Sequence, residues 1–175
     1  LEFRRVLFRS EAIERLLALN VTALTRLMRH VLPGMRARQS GGIINLASLG
    51  GYVPGPYQAA YYASKAYVIS LSEAVAAEAA GDGVRVTVVS PGPVATAFHA
   101  RMGAEQSLYR RLIPAMSPAS AARWTMLAYT LGLRAALPGI VNTVLVVALR
   151  ILPHRLVIPI VSWLLRPRGQ EGPNA

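Results

Sequence analysis

The sequence predicts an α/β fold built on a parallel sheet, and three observations carry the prediction. Helix-like and strand-like segments alternate along the chain, the order of an open α/β sheet. GIINLAS, residues 42–48, is a short apolar run rich in β-branched residues. Such a run suits a strand buried on both faces, the condition of a parallel sheet covered by helices. VRVTVVS, residues 84–90, is a second strand of the same length. The 175 residues suffice for one domain with a real core.

The first ten residues, LEFRRVLFRS, resemble the translation of a sequencing-library adapter and are expected to lie outside the fold. On that expectation the native chain begins near Glu11, in mid-gene, and the molecule is the C-terminal part of a longer one. Over residues 11–36, Ile13, Leu16, Leu17, Val21, Leu24, Leu27, Met28 and Val31 recur at helical spacing. Ser40-Gly41-Gly42 ends that helix and the first strand follows. Gly50, Gly51, Pro54, Gly55 and Pro56 make a loop. Residues 59–80 are Ala-rich and free of Gly and Pro, a strong helix stopped by Gly81-Asp82-Gly83. The second strand runs into the turn Ser90-Pro91-Gly92-Pro93. Ser117-Pro118 is an N-cap followed by proline at the first helical position, and opens a helix to residue 131. Residues 134–137 suit a short third strand, and 140–152 and 156–165 two apolar helices. The expected divisions are therefore 11–137, 138–166 and a disordered tail, 167–175.

Composition removes several function classes. There is no Cys, hence no disulfide framework or thiolate metal site. His30, His99 and His154 are scattered and Asp82 is the sole aspartate, so Ser-His-Asp chemistry and carboxylate metal cages are poorly supplied. No uncharged apolar run reaches the ~20 residues of a spanning helix, and no signal peptide is visible. A cytoplasmic location is expected, with peripheral contact at the inner face of the membrane as an extension of it. That extension comes from the C-terminal third: the chain from Gln106 to Gln170 holds eight Arg and no Asp or Glu. Apolar helices flanked by Arg150, His154 and Arg155 suit an anionic membrane surface. A substrate-pocket lid and subunit contact with solvated arginines suits them better still, and is the expectation taken first. Nucleic-acid binding fits less well, because the arginines are spaced along apolar helices without an aromatic stacking platform.

Chemistry concentrates at YYASK, residues 61–65. The nineteen basic residues are eighteen Arg and one Lys, and that Lys is Lys65. Tyr61 and Lys65 stand at i and i+4, neighbours on one helix face. A cation beside a tyrosine favours the phenolate and lowers a pKa that is otherwise about 10. An ammonium suits this task as a compact charge with three rotatable donors. Ser48 ends the first strand, and Ser90 to Thr96 follows the second, so both strand ends converge on one crevice. Asn20 lies mid-helix, where Asn is mildly unfavourable. Tyr52 and Tyr57 are candidates for pocket lining or for packing. Tyr62 is excluded as a proton donor by spacing, since Ala66 stands four residues on.

Asn20, GIINLAS with Ser48, Tyr61-x-x-x-Lys65 and Pro91-Gly92-Pro93-Val94-Ala95-Thr96, in this order and spacing, resemble the short-chain dehydrogenase/reductase superfamily. The resemblance implies the C-terminal half of a Rossmann-type, doubly wound parallel sheet followed by apolar helices. It implies an NAD(P)-dependent oxidoreductase acting on small-molecule carbonyls or alcohols, lipid-like ones included, with NADP or NAD as cofactor. Tyr61 would be the general acid or base. Lys65 would depress its pKa and bind the nicotinamide ribose, and Ser48 would polarise the carbonyl. Asn20 would hold a relay water. Pro91, Gly92 and Val94 would wall the nicotinamide, with Thr96 on its carboxamide or the pyrophosphate. Family members pair their two long helices across a dimer axis, which implies a homodimer or homotetramer. The family's Gly-rich turn after its first strand and its Asn-Asn-Ala-Gly type motif are not found here. This departure predicts that the 175-residue chain lacks dehydrogenase activity while the parent protein has it. The alternative reading is a non-catalytic membrane-surface or lipid-binding protein that reuses the fold.

Overall fold

Apolar periodicity does make the opening segment helical, but the helix is not of one kind throughout. The computed structural model describes residues 10–96, 108–109 and 113–166. The adapter-like stretch and the tail from Pro167 lie outside the described residues, Ser10 excepted. Helix α1 (Ser10–Leu17) passes into a π-helical stretch (Ala18–Ala23) and then into α2 (Leu24–Ala37). The sequence reading expects one unbroken α-helix here. The difference is a widened turn around Asn20, of the kind that π-bulges introduce, often at functional sites.

Strand β1 (Gly41–Leu46) leads through a 3₁₀ turn (Leu49–Tyr52) to α3 (Ala59–Glu78). Strand β2 (Val84–Val89) and helix α4 (Pro118–Thr130) follow, then β3 (Ala135–Ala136), α5 (Ile140–Ile151) and α6 (His154–Leu165). The strands lie in the order β1-β2-β3, every pairing parallel, with Gly41 opposite Val84 and Leu46 opposite Val89. At α4 the Ser117 side chain accepts from the Ser120 N–H at 3.1 Å, and Pro118 takes the first turn, as the Ser-Pro pair predicts.

Alternation along β2 divides the sheet into two covered faces. Val84 and Val86 pack with Met28 of α2 and Ala76 and Ala79 at the end of α3. Val88 packs with Val68 and Ile69 of α3. Val68 and Val88 are fully buried, each contributing about 1.5–3 kcal/mol of transfer free energy. On the opposite face, α4 sits so close that a Cβ at Gly42 would lie 1.8 Å from the Tyr129 hydroxyl. Two buried polar side chains between α3 and β1 are paired: Asn45 donates to the Ser72 hydroxyl at 2.8 Å, which donates to the Val68 carbonyl at 2.6 Å. The packing therefore fixes β1, β2 and α3 relative to one another, and with them the strand ends.

Candidate active site

Parallel pairing sends the carboxyl ends of β1 and β2 to the same edge of the sheet, where ligand sites of open α/β sheets lie. The ladder continues past the strands: Ala47 donates to the Val89 carbonyl at 2.8 Å and Leu49 to the Pro91 carbonyl at 3.2 Å. Ser48 is extended, and its hydroxyl oxygen accepts from the Gly50 N–H at 3.2 Å, which caps the 3₁₀ turn and aims the side chain. Tyr61, in the first turn of α3, hydrogen-bonds the Ser48 side chain. One turn on, Lys65 holds its ammonium 5.8 Å from the centre of the Tyr61 ring and donates to the Leu46 carbonyl at 3.0 Å.

Asn20 is brought to the same place by the π-helical turn. Its amide donates to the Ser64 hydroxyl at 3.0 Å, and that hydroxyl donates to the Tyr61 carbonyl at 2.7 Å. Ser64 is a residue the sequence reading missed. Its signal was a small polar side chain three residues after a tyrosine on a helix, the spacing of back-bonding to the chain.

A cavity of about 530 Å³ opens at these strand ends. Asn20, Ser48, Tyr61, Lys65, Pro91, Gly92, Val94 and Thr96, the eight residues singled out in the sequence, all line it. The remaining wall is mostly apolar and comes from Leu16 and Leu19 of the first helical segment, Val53, and the facing sides of α5 and α6. Leu145, Val146 and Leu149 contribute from α5, and Val161, Leu164 and Leu165 from α6. Tyr62 also lines it, ring edge-to-face with Tyr61 at 6.0 Å. The Tyr62 ring covers Gly50 and Gly55 so closely that a Cβ at Gly55 would lie 2.2 Å from it. Tyr52 and Tyr57 are not among the lining residues. Tyr52 packs against the core under the Arg150 guanidinium, 5.6 Å away, and Tyr57 is 39% exposed in a positive-φ turn.

Burial sets the protonation of the pair. It raises the Tyr61 phenol above its ordinary value, and the Ser48 hydrogen bond only partly opposes this. It lowers the Lys65 ammonium. The spacing of the pair predicts a lowered phenol. The structure reverses that direction because desolvation by burial outweighs the Ser48 hydrogen bond. A phenol raised in this way is protonated at neutral pH and available as a donor. Titration of Tyr61 by ¹³C NMR of labelled tyrosine is expected to place its ionisation above 10.0, and higher still in Ser48→Ala, which removes the opposing bond. Ionisation below 10.0 in the unmodified chain would contradict this electrostatic reading.

A family model described as short chain dehydrogenase matches residues 5–107. The chain is 45% identical over 82 residues to "Inactive 2-(S)-hydroxypropyl-CoM dehydrogenase 2" of Xanthobacter autotrophicus, covering 47% of this chain and 36% of that protein. It is 44% identical over 93 residues to a short-chain dehydrogenase/reductase of Penicillium canescens, covering 53% and 36%. The chain thus spans about a third of the length of these curated relatives. Among solved structures, a short-chain dehydrogenase from Sphingobium yanoikuyae in complex with NADPH aligns with a TM-score of 0.70 at 25% identity, covering 94% of this chain and 62% of that one. The matched span contains the strand ends, the Ser48–Tyr61 pair and Lys65. The chain belongs to the short chain dehydrogenase family.

Proposed function

We propose that the whole protein is an NAD(P)-dependent oxidoreductase that reduces a carbonyl compound or oxidises the corresponding alcohol. One observation supports this most strongly. Two hydrogen-bonded hydroxyls, Ser48 and Tyr61, sit at the polar end of a largely apolar cavity, with a half-buried ammonium one helical turn away. A carbonyl oxygen entering there meets two donors at once. Ser48 orients it, and Tyr61 gives it a proton, its O–H bond breaking as the new one forms. The Lys65 ammonium, close to the ring, steadies the phenolate that remains. Asn20 holds Ser64, and Ser64 holds the Tyr61 main chain, so the amide positions the donor; in this proposal it also holds the water that links Lys65 to solvent.

These residues fit the nicotinamide end of a dinucleotide. Lys65 directs its ammonium to the mouth of β1, where a ribose hydroxyl can share it. Pro91, Gly92 and Val94 form the adjoining wall, and Thr96 would reach the carboxamide or the pyrophosphate. Either cofactor, when bound, would supply the hydride as NADPH or NADH for reduction and accept it as NADP or NAD for alcohol oxidation. The substrate part of the cavity is aliphatic, so the carbonyl is one flanked by hydrocarbon. A homodimer or homotetramer acting in the cytoplasm belongs to the same proposal.

The non-catalytic alternative is less well supported, because a mere lipid pocket has no use for Ser48, Tyr61, Lys65 and Asn20 gathered at one end. In this proposal the 175-residue chain alone does not turn over, since the family's Gly-rich phosphate turn is not found in it. Cofactor oxidation followed with an apolar ketone is expected to show activity for the full-length protein and none for the chain. Ketone-dependent turnover by the chain would overturn that part.

A further inference from the structure

The cavity uses only one face of α5 and one of α6. Val146 is buried on α5, and Val157, Val161 and Leu165 are buried on α6. The opposite faces are just as apolar, yet open to water. On α5, Ile140, Val144, Val147 and Ile151 are 84, 63, 51 and 78% exposed and recur at i, i+4, i+7 and i+11, a single stripe. On α6, Leu156, Ile160 and Trp163 are 51, 42 and 56% exposed at i, i+4 and i+7. A helix apolar on every side is ordinarily covered on every side, and exposed patches of this kind mark interaction surfaces.

Charge decides what covers them. From Gln106 to Gln170 there are eight Arg and no acidic residue. Arg155 lies in the first turn of α6 and Arg166 directly follows it, both exposed, while Arg150 flanks the stripe over the Tyr52 ring. A second copy of the chain seated here would set these like charges against each other with no carboxylate in the segment to answer them. An anionic lipid surface answers all of them. Each helix has 12 residues, about 18 Å, too short to span the ~30 Å hydrocarbon layer and suited to lying along its boundary. An exposed indole such as Trp163 favours the headgroup level.

We propose that the outer faces of α5 and α6 dock on an anionic lipid membrane, with the apolar cavity directly behind them. The two readings of the C-terminal third, lid and membrane contact, then describe opposite faces of the same helices. This inference rests on exposure and charge, and stands or falls separately from the catalytic proposal.

Flotation of the 175-residue chain with vesicles of phosphatidylglycerol and phosphatidylcholine, against phosphatidylcholine alone, tests it. The chain is expected to float with the acidic vesicles and to be released by salt. Val147→Glu/Ile151→Glu, at positions already in water, is expected to lower partitioning by about tenfold or more. An unchanged thermal midpoint for that double variant verifies that its fold is kept. In a Trp124→Phe background, Trp163 emission is expected to move to shorter wavelength on binding. No flotation with acidic vesicles, or equal flotation of the double variant, overturns the proposal. So does a concentration-dependent dimer in sedimentation that the same double variant abolishes while vesicles remain unbound, which would assign these faces to a second copy.

Discussion

Tyr61→Phe is expected to lower kcat of the full-length protein by about 10²–10⁴-fold, the usual contribution of a positioned proton donor. The change removes one hydroxyl and little else. The phenyl ring can keep its edge-to-face contact with Tyr62, and Ser48 keeps the Gly50 N–H as a partner. Because the lost interaction strengthens as charge develops on the carbonyl oxygen, kcat should fall far more than KM rises. The thermal midpoint should hardly move, which separates a chemical defect from a folding defect. Steady-state kinetics with an apolar ketone check this, and unchanged turnover would remove Tyr61 from the mechanism.

Gly83→Ala is expected to be strongly damaging in the turn that leads into β2. Gly83 has φ +68, and a Cβ there would lie 1.9 Å from the main-chain carbonyl oxygen of Gln39. Neither group can swing aside. Both lie in turns that feed β1 and β2, and Gln39 is itself in the left-handed region at φ 49. Gly132 offers a matched control: its φ is +69, with nothing within 4 Å of an added Cβ. Gly132→Ala should cost about 1 kcal/mol, the strain alone, whereas Gly83→Ala should cost about 3 kcal/mol or more from strain and overpacking together. Urea unfolding of the two variants measures the difference. Equal losses would mean that the turn can relax and that the contact is not rigid.

Much of this architecture is legible in the sequence because it rests on local signals. Two short apolar runs between helical periods specify a parallel sheet, and Ser117-Pro118 marks the start of α4. The grouping of the candidate site residues around one cavity is legible for the same reason. Tyr61 and Lys65 are one turn apart, while Ser48 and Pro91 to Thr96 sit where strands end, and the cavity gathers them with Asn20. What is not legible depends on partners distant in the chain. The π-helical turn at Asn20 is accompanied by a bond to Ser64, 44 residues on. The upward direction of the Tyr61 phenol comes from burial, which i,i+4 spacing does not encode. The inner and outer faces of α5 and α6 carry the same kind of residue, so periodicity alone does not say which side lines the cavity. Tyr52 and Tyr57 follow Ser48 closely, but the core and the turn take them instead.

The central claim is that a substrate carbonyl is held between Ser48 and Tyr61. The most direct test is a crystal structure of the full-length protein with a nicotinamide cofactor and a slowly reacting apolar ketone. The ketone oxygen is expected about 2.6–3.2 Å from both hydroxyls, with the hydrocarbon against Val146, Leu149 and Val161. A ketone bound in the cavity with its oxygen turned away from Ser48 and Tyr61 would contradict the account.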